Sequence, residues 1–245
     1  AATTGSGKTL SYVLPTIQSL CFAEDQGYVR KKCRPRVIVL VPTRELAQQV
    51  LQTFKSLSHY AKISSCAVFG GEQYQIQKKK LDHYVDVVVA SPGRLRKHKE
   101  QGNVFFSEVD TVIIDEVDTM LHQGFGADVR YILKSAMMRK GKNVPERSPT
   151  GTVETSGNLK GVQVVMATAT LTKAVDSLAV DMKGGFNTQD KPSGSQSKKN
   201  ATDDLDVKFN IIKVDGLHRT SSNVSHTIEP LHGNQDKISL LLGVL

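Results

Sequence analysis

The stretch AATTGSGKT at residues 1–9, taken together with IIDEVD at residues 113–118, decides the fold class of this chain. In the first stretch two glycines come directly before Lys8 and Thr9. Such a loop lets backbone N–H groups close around phosphates, while the lysine reaches the β/γ oxygens and the threonine hydroxyl holds Mg²⁺. The second stretch ends a run of β-branched residues with Asp115 and Glu116, where a carboxylate at a strand end would complete the Mg²⁺ site. Together they predict a P-loop nucleotide site.

The composition indicates a soluble, basic chain. The 245 residues are 39% hydrophobic and 23% charged, with a net charge of +8, enough for one sizeable core or a core plus part of a second domain. No apolar run approaches the ~20 residues of a membrane helix, so no membrane association is expected. The positive charge favours a polyanionic partner such as nucleic acid, although lysine and arginine also simply solubilise a surface.

The cysteines and histidines give no sign of a metal site. There are 3 cysteines, without a CxxC spacing, and 7 histidines, without an HExxH spacing. An odd number of unpaired cysteines is typical of ordinary small apolar residues in a reducing compartment.

Alternating helical and strand periods predict a parallel α/β sheet flanked by helices. Strands are predicted at residues 36–41, 63–69, 86–90, 109–114, 162–167 and 209–214. The helix after the phosphate loop is expected to bury Leu10, Val13, Leu14, Ile17 and Leu20, with a kink at Pro15. A second helix is predicted on Leu46, Val50, Phe54 and Leu57, and a third over residues 171–182.

Two polar stretches interrupt this rhythm. Residues 138–161 and 184–206 are rich in Gly, Pro and Ser and are predicted to be flexible surface insertions. After residue 215 a short linker leads to a possible strand at 224–228 and an apolar helix at 236–245.

Four further motifs each follow a predicted strand: PTRELA at 42–47, GG at 70–71, SPGR at 91–94 and TAT at 168–170. That edge is where open parallel sheets bind ligands. In this order, the set resembles the amino-terminal RecA-like domain of DEAD-box ATP-dependent RNA helicases. The resemblance implies a P-loop NTPase RecA-like domain over residues 1–216 that lacks its first strand, then a linker and the start of a second RecA-like domain at 217–245. The fold would thus be incomplete at both ends.

The resemblance implies ATP and Mg²⁺ as cofactors. It assigns the ATP phosphates to Thr4, Gly5, Ser6, Gly7, Lys8 and Thr9. Mg²⁺ would be held by Thr9 and, through water, by Asp115. Glu116 would position or activate the attacking water, which makes Glu116, Asp115 and Lys8 the expected catalytic set. Asp118, Thr168 and Thr170 would link the ATP state to closure onto RNA.

The resemblance also implies RNA as the partner. The RNA backbone would be bound by Pro42, Thr43, Arg44, Gly70, Gly71, Ser91, Gly93 and Arg94. Hydroxyls, backbone amides and arginines suit phosphate oxygens and read no base identity, so binding should be independent of RNA sequence. The 6 tyrosines and 8 phenylalanines are not clustered and tryptophan is absent, which favours backbone contacts over a base-stacking platform. Ribosome-assembly or RNA-processing proteins are further implied partners.

This chain departs from the usual motifs at conservative positions. Val117 replaces alanine in the acidic motif, Ser91 replaces threonine, and Thr168 replaces serine. The last two replacements keep the hydroxyl, so the chemistry is expected to survive.

Simpler explanations of the motifs stay open from the residues alone. A glycine-rich turn, an acidic helix start at residues 115–116 and surface arginines at 44 and 94 would give similar patterns. The run Lys78–Lys80 is expected to be a solvated helix face. Two other functions are also open: a nucleotide-dependent RNA clamp or scaffold without productive turnover, and a DNA translocase.

The upstream adenine-recognising segment and most of a second RecA-like domain are absent from the sequence, so the polypeptide alone is expected to be a nearly inert fragment. GFG at 124–126 and TKAV at 172–175 resemble plant organellar members of the family, which favours a chloroplast or mitochondrion. A nuclear or nucleolar location is the alternative.

Overall fold

Five parallel strands form one sheet in the part of the chain that the computed structural model describes, residues 7–137, 161–183 and 210–212. The strands are β1 (Val37–Leu40), β2 (Ser65–Val68), β3 (Val87–Ala90), β4 (Thr111–Ile114) and β5 (Gln163–Met166). The helices are α1 (Lys8–Asp25), α2 (Arg44–Ala61), α3 (Tyr74–Leu81), α4 (Pro92–Glu100), α5 (Val117–His122), α6 (Gly126–Met137) and α7 (Lys173–Lys183). The order across the sheet is β2-β3-β1-β4-β5, with all four pairings parallel. The predicted parallel α/β sheet flanked by helices is confirmed.

Both faces of the sheet are covered, which explains why its central strands are continuous apolar runs. Alternate residues of a strand point to opposite faces. In β1, Ile38 and Leu40 pack into the core formed with α3 to α7, while Val37 and Val39 pack into the core formed with α1 and α2. Parallel strands buried on two sides lose the polar–apolar alternation of a half-exposed sheet.

Helix α1 buries a different face from the one its leucines predict. Tyr12, Val13, Thr16 and Leu20 are buried, whereas Leu10 is 48% and Leu14 52% exposed. Thr16 can be buried because its hydroxyl donates a hydrogen bond to the Tyr12 carbonyl oxygen at 2.6 Å. The buried face is therefore rotated towards Tyr12, and the expectation for Leu10 and Leu14 is wrong. The helix continues through Pro15 to its end at Asp25.

The carboxy-terminal predictions are only partly covered by the described residues. Of the strand expected at 209–214, residues 210–212 belong to no strand, and Ile211 and Ile212 are 67% and 78% exposed. The insertions at 138–161 and 184–206, apart from Gly161, lie outside the described residues, as do the expected strand at 224–228 and helix at 236–245. Within the described ranges, no helix combines the length and apolar character needed to cross a membrane.

A buried ion pair closes the amino ends of β1 and β3. Arg36, which precedes β1, donates from Nη2 to Oδ1 of Asp86, which precedes β3, at 2.8 Å. Both side chains are 2% exposed. The same Nη2 lies 3.0 Å from Oε1 of Glu24, and Nη1 donates to the Leu20 carbonyl oxygen. This pair thereby ties α1 to the sheet.

Candidate active site and nucleic-acid interface

The predicted functional residues of the described chain lie at one edge of the sheet. Pro42 follows β1, Gly70 lies just beyond β2, Ser91 follows β3, Asp115 follows β4, and Thr168 lies just beyond β5. Because all five strands are parallel, their carboxyl ends meet at the same edge, where ligands of open α/β sheets bind. The edge carries two neighbouring regions, one around Asp115 and one around Ser91.

The phosphate-loop motif enters α1 directly. Gly7 has φ 80°, a left-handed conformation that glycine adopts without strain, and its carbonyl oxygen accepts the Ser11 N–H at 3.0 Å. The helix then begins at Lys8, and the N-terminus of a helix favours anions. Thr4, Gly5 and Ser6 lie outside the described residues.

Asp115 and the start of α1 are joined by Tyr12. The Tyr12 hydroxyl donates to Oδ2 of Asp115 at 2.7 Å in a buried contact, and the Thr9 side chain lies close enough to this hydroxyl to influence the pKa of Tyr12. The second carboxylate oxygen of Asp115 accepts the Glu116 N–H at 3.0 Å. Burial, then the charge and hydrogen bond of Asp115, raise the pKa of Tyr12 well above its usual range. Tyr12 therefore stays a hydroxyl donor, and it brings Thr9 and Asp115 to one place.

Glu116 lies beside this cluster in an unusual backbone conformation. It has φ 51° and ψ 50° and precedes the first residue of α5 without a side-chain capping bond. Burial, followed by the negative charges of Asp115 and Asp118, raises the pKa of Glu116, while the positive charge of Lys8 opposes that shift. A carboxylate with a raised pKa is a better proton acceptor, as a general base needs.

The donor set around Asp115 fits Mg²⁺ only when phosphate oxygens complete it. Among the described residues, no group of three or more His, Cys, Asp or Glu side chains could hold a metal alone. Mg²⁺ usually keeps several waters and binds through one or two carboxylates plus substrate phosphates. A single buried carboxylate beside the Thr9 hydroxyl and a helix N-terminus matches that arrangement.

Asp118, Thr168 and Thr170 form a connected cluster. Oδ2 of Asp118 accepts the Thr170 N–H at 3.1 Å and also its hydroxyl hydrogen, and the Thr168 hydroxyl donates to the Thr170 carbonyl oxygen at 2.7 Å. Burial alone would raise the pKa of Asp118, but hydrogen bonds, chiefly that from the Thr170 hydroxyl, outweigh it and lower that pKa. The cluster fixes the start of α5 to the segment after β5.

The second region is an open groove of about 490 Å³. Its lining comprises Pro42, Arg44, Phe69, Gly70, Ser91, Gly93, Arg94, Lys97 and Phe125. Helix α2, which follows β1, and helix α4, which follows β3, both begin at this groove, and their N-termini favour anions. The groove thus combines cationic side chains with two helix N-termini, which suits a phosphate-rich chain.

Two predicted groove residues act on the groove wall. The Thr43 hydroxyl accepts the Leu46 N–H at 3.2 Å and so caps α2. Gly71 has φ 84°, and a Cβ there would lie 3.3 Å from Nη1 of Arg44. Glycine at this position therefore leaves room for the Arg44 guanidinium, whose Cζ lies 5.5 Å from the centre of the Phe69 ring.

Sequence reasoning missed four residues of these regions, namely Tyr12, Phe69, Lys97 and Phe125. Lys97 follows Arg94 by three residues on α4, a spacing that places both on one helix face, so that signal was available. Tyr12 follows Lys8 by four residues and has the same kind of signal, but an aromatic residue in an apolar helix is usually taken as core. Nothing local marks Phe125 as a groove residue.

Comparisons with known proteins agree with this geometry. Residues 1–178 match the DEAD/DEAH box helicase family. DEAD-box ATP-dependent RNA helicase 39 of Arabidopsis thaliana is 35% identical over 245 residues, covering 99% of this chain and 33% of that protein. DEAD-box ATP-dependent RNA helicase 3B, chloroplastic, of Zea mays is 41% identical over 133 residues, covering 54% of this chain and 18% of that protein.

The fold agrees as well. The crystal structure of the yeast DEAD-box splicing factor Prp28 matches with a TM-score of 0.58 at 26% identity, covering 74% of this chain and 38% of that chain. The chain spans about a third of the length of the Arabidopsis relative. Because the family match covers well over half of the sequence, and the parallel sheet is the RecA-like one of such helicases, the chain belongs to the DEAD/DEAH box helicase family.

Proposed function

We propose that this chain is the ATP-binding part of an ATP-dependent RNA helicase, which couples ATP binding and hydrolysis to sequence-independent binding of the RNA backbone. The observation that carries the proposal is the position of the two regions. The Tyr12 hydroxyl ties the start of α1, which carries Lys8 and Thr9, to Asp115 at the same sheet edge that forms the groove of Arg44 and Arg94. Nucleotide and RNA bound there would contact segments that begin at adjacent strand ends.

In this proposal the phosphate loop, with Lys8 and Thr9, binds the ATP phosphates, and Thr9 and Asp115 hold Mg²⁺. The metal, when bound, neutralises charge on the phosphates. Glu116 orients the attacking water and accepts its proton, a role supported by its raised pKa. Glu116, Asp115 and Lys8 are thus the proposed catalytic set.

The cluster of Asp118, Thr168 and Thr170 is proposed to transmit the nucleotide state. Asp118 lies three residues after Asp115, and its carboxylate is bound by the segment after β5. A shift of Asp115 on nucleotide binding would therefore move a hydrogen-bonded unit rather than a single side chain.

RNA is proposed to lie along the groove, with its phosphates near Arg44, Arg94 and Lys97. Arginine binds phosphate oxygens through paired N–H groups, and such contacts fix position without reading bases. The groove lining carries one Ser hydroxyl and three cationic side chains but no Asn or Gln amide, which supports recognition of the backbone.

Several wider features are proposed for the whole protein. Unwinding is expected to need a second RecA-like domain, with the chain divided at residues 216 and 217; ordinary RNA-stimulated turnover by this chain alone would contradict that. Its proposed partners include ribosome-assembly or RNA-processing proteins. An intracellular location is proposed, in a chloroplast or mitochondrion, which the chloroplastic maize relative supports, with the nucleus or nucleolus as the alternative.

Arg94→Ala tests the RNA groove in the full-length protein. Loss of one charged phosphate donor should weaken binding of single-stranded RNA by roughly 10- to 100-fold and reduce RNA stimulation of ATP hydrolysis, while ATP affinity without RNA stays unchanged. Fluorescence anisotropy with labelled RNA and a coupled ATPase assay measure the two effects.

The matched control is Lys79→Ala, which removes one positive charge from the exposed face of α3 outside the groove. Equal losses for both variants would mean that net charge alone binds RNA. DNA of the same length serves as a second comparison, because equal stimulation by DNA and RNA would favour a DNA translocase.

Tyr12→Phe tests whether Tyr12 positions the proposed metal ligand. The ring, which is 5% exposed, keeps its packing, but Asp115 loses the hydrogen bond that orients its carboxylate. Loss of such an outer contact typically costs 10- to 100-fold in metal affinity. We expect the Mg²⁺ concentration needed for tight binding of a fluorescent ATP analogue to rise by at least about tenfold.

The control is Tyr60→Phe, which removes the same hydroxyl from a tyrosine that is 90% exposed on α2. An unchanged Mg²⁺ requirement in Tyr12→Phe would show that the Tyr12 hydroxyl only fills space beside Asp115.

A further inference from the structure

Beneath the groove, three buried or half-buried polar side chains form a continuous hydrogen-bonded chain. Gln77 on α3 and His98 on α4 are both 0% exposed, and Asn103 lies just beyond α4. Buried polar groups of this kind are costly unless every one of them is paired. None of the three is a proposed RNA contact or catalytic residue, so their placement needs another explanation.

The direction of each hydrogen bond follows from the donors available. Nε2 of Gln77 donates to the Phe69 carbonyl oxygen at 2.7 Å, which turns Oε1 of Gln77 towards Nε2 of His98 at 3.2 Å. His98 therefore carries its hydrogen on Nε2, and its Nδ1 accepts from Nδ2 of Asn103 at 3.1 Å. The other hydrogen of that amide is donated to the Tyr74 hydroxyl oxygen at 2.6 Å.

The chain leaves no alternative arrangement among these groups. Each donor has one acceptor, and reversing either amide would place two donors or two acceptors against each other. Burial, then the positive charges of Arg94 and Lys97, lower the pKa of His98 to about 4. The imidazole is accordingly neutral near pH 7 and keeps the single hydrogen that this pattern requires.

One end of this hydrogen-bonded chain lies in the groove wall, and the other end lies beneath two cationic residues of the groove. The Phe69 carbonyl belongs to the segment that continues into Gly70, and both residues line the groove. At the other end, Tyr74 stacks on His98 with ring centres 4.2 Å apart and planes 1° apart. Above the Tyr74 ring lie the Arg94 guanidinium at 5.9 Å and the Lys97 ammonium at 5.5 Å.

We propose that Gln77, His98 and Asn103 are positioning residues for RNA binding: their hydrogen-bonded chain fixes the Phe69–Gly70 wall of the groove relative to Arg94 and Lys97 on α4. The ligand class is the phosphate backbone of single-stranded RNA. This role rests on the proposed function, because it needs RNA to occupy the groove. A rigid spacing between cations and backbone amides lowers the entropy lost when the strand binds.

The test is Gln77→Met in the full-length protein, which keeps the length of the side chain but removes both hydrogen bonds. We expect the dissociation constant for single-stranded RNA to rise roughly tenfold, the size that loss of a buried partner produces. The slope of log affinity against log salt should fall in magnitude by about 0.7, as for one lost phosphate contact on a single strand. ATP affinity without RNA should stay unchanged.

Two comparisons make the result specific. Gln75→Met places the same change on an exposed residue of the same helix and should leave affinity and salt slope at the parent values. In the Arg94→Ala background, Gln77→Met should add little, since the contact that it positions is already gone. If Gln77→Met does not fold, Asn103→Ala opens the other end of the chain and is measured in the same way.

The contrary result is a Gln77→Met protein that keeps the parent's RNA affinity and salt slope while its unfolding temperature falls. That result would show that the hydrogen bonds of Gln77, His98 and Asn103 only stabilise the fold, and it would overturn the proposal. If Arg94→Ala weakens binding and Gln77→Met does not, only the positioning role is wrong. If Arg94→Ala itself has no effect on RNA binding, the RNA assignment of the groove is wrong, and the positioning role fails with it.

Discussion

Replacing Glu116 with glutamine is expected to reduce ATP turnover by about 10²- to 10⁴-fold, the usual contribution of a general base. Glutamine keeps the size of the side chain. Because glutamate already adopts the left-handed backbone at this position, with φ 51°, the substitution adds no new backbone strain. The amide cannot accept the proton of the attacking water. Binding of ATP and RNA should be retained, because Lys8, Thr9, Asp115 and the groove are untouched. Single-turnover hydrolysis and filter binding of RNA measure the two properties separately.

Glu100→Gln is the matched control, because it makes the same chemical change at an exposed residue of α4 and should leave turnover at the parent rate. The variant also separates two functions in the full-length protein. If Glu116→Gln releases strands from a duplex repeatedly at the parent rate, hydrolysis is not needed for turnover. Near-normal ATP hydrolysis by Glu116→Gln would remove Glu116 from the catalytic set.

The largest loss of stability is expected from Arg36→Met. The substitution keeps most of the buried volume but leaves the Asp86 carboxylate, 2% exposed, without its main cation. Breaking a buried pair on one side typically costs about 3–5 kcal/mol. Because Arg30 remains 3.4 Å from Oδ2 of Asp86, we expect the free energy of unfolding to fall by about 3 kcal/mol, at the low end of that range. Equilibrium unfolding in urea, followed by circular dichroism, measures the change in free energy of unfolding.

The double variant Arg36→Met with Asp86→Asn should recover part of this loss, because no charge is then left unpaired in the interior. As a control, Arg96→Met removes an arginine whose ion pair with Glu100 is exposed to solvent and whose pair with Asp128 is partly exposed, and pairs near the surface contribute little. A urea midpoint for Arg36→Met equal to that of the parent would show that the buried pair does not stabilise the fold.

Much of the site could be predicted from the sequence because its elements are local. A glycine before Lys8, a strand followed directly by Asp115 and a helix starting after Ser91 are fixed by neighbours in the chain. Parallel strands then bring their carboxyl ends to one edge whatever their order. This is why the phosphate-loop end, the acidic pair and the groove residues could be expected at one edge of the sheet without knowledge of the order β2-β3-β1-β4-β5.

The features that were missed or wrong depend on tertiary packing. Leu10 and Leu14 fit the helical period, but the sheet packs against the neighbouring face of α1. Thr16 can be buried on that face because its hydroxyl donates to the Tyr12 carbonyl oxygen. Gln77 and His98 meet only because α3 and α4 lie side by side. An isolated glutamine or histidine in the sequence is equally compatible with a solvent-exposed position, so no local pattern could have paired them.

The placement of the Arg36–Asp86 pair has an evolutionary consequence. The pair lies before the first residues of β1 and β3, and the reactive groups lie after the last residues, roughly 13 Å away along a four-residue strand. The length of the strands thus separates the ion pair that stabilises the fold from the residues proposed to react. Point mutations at the amino ends of the strands can therefore adapt the domain to a different temperature without altering the residues at the carboxyl ends that are proposed to contact substrates.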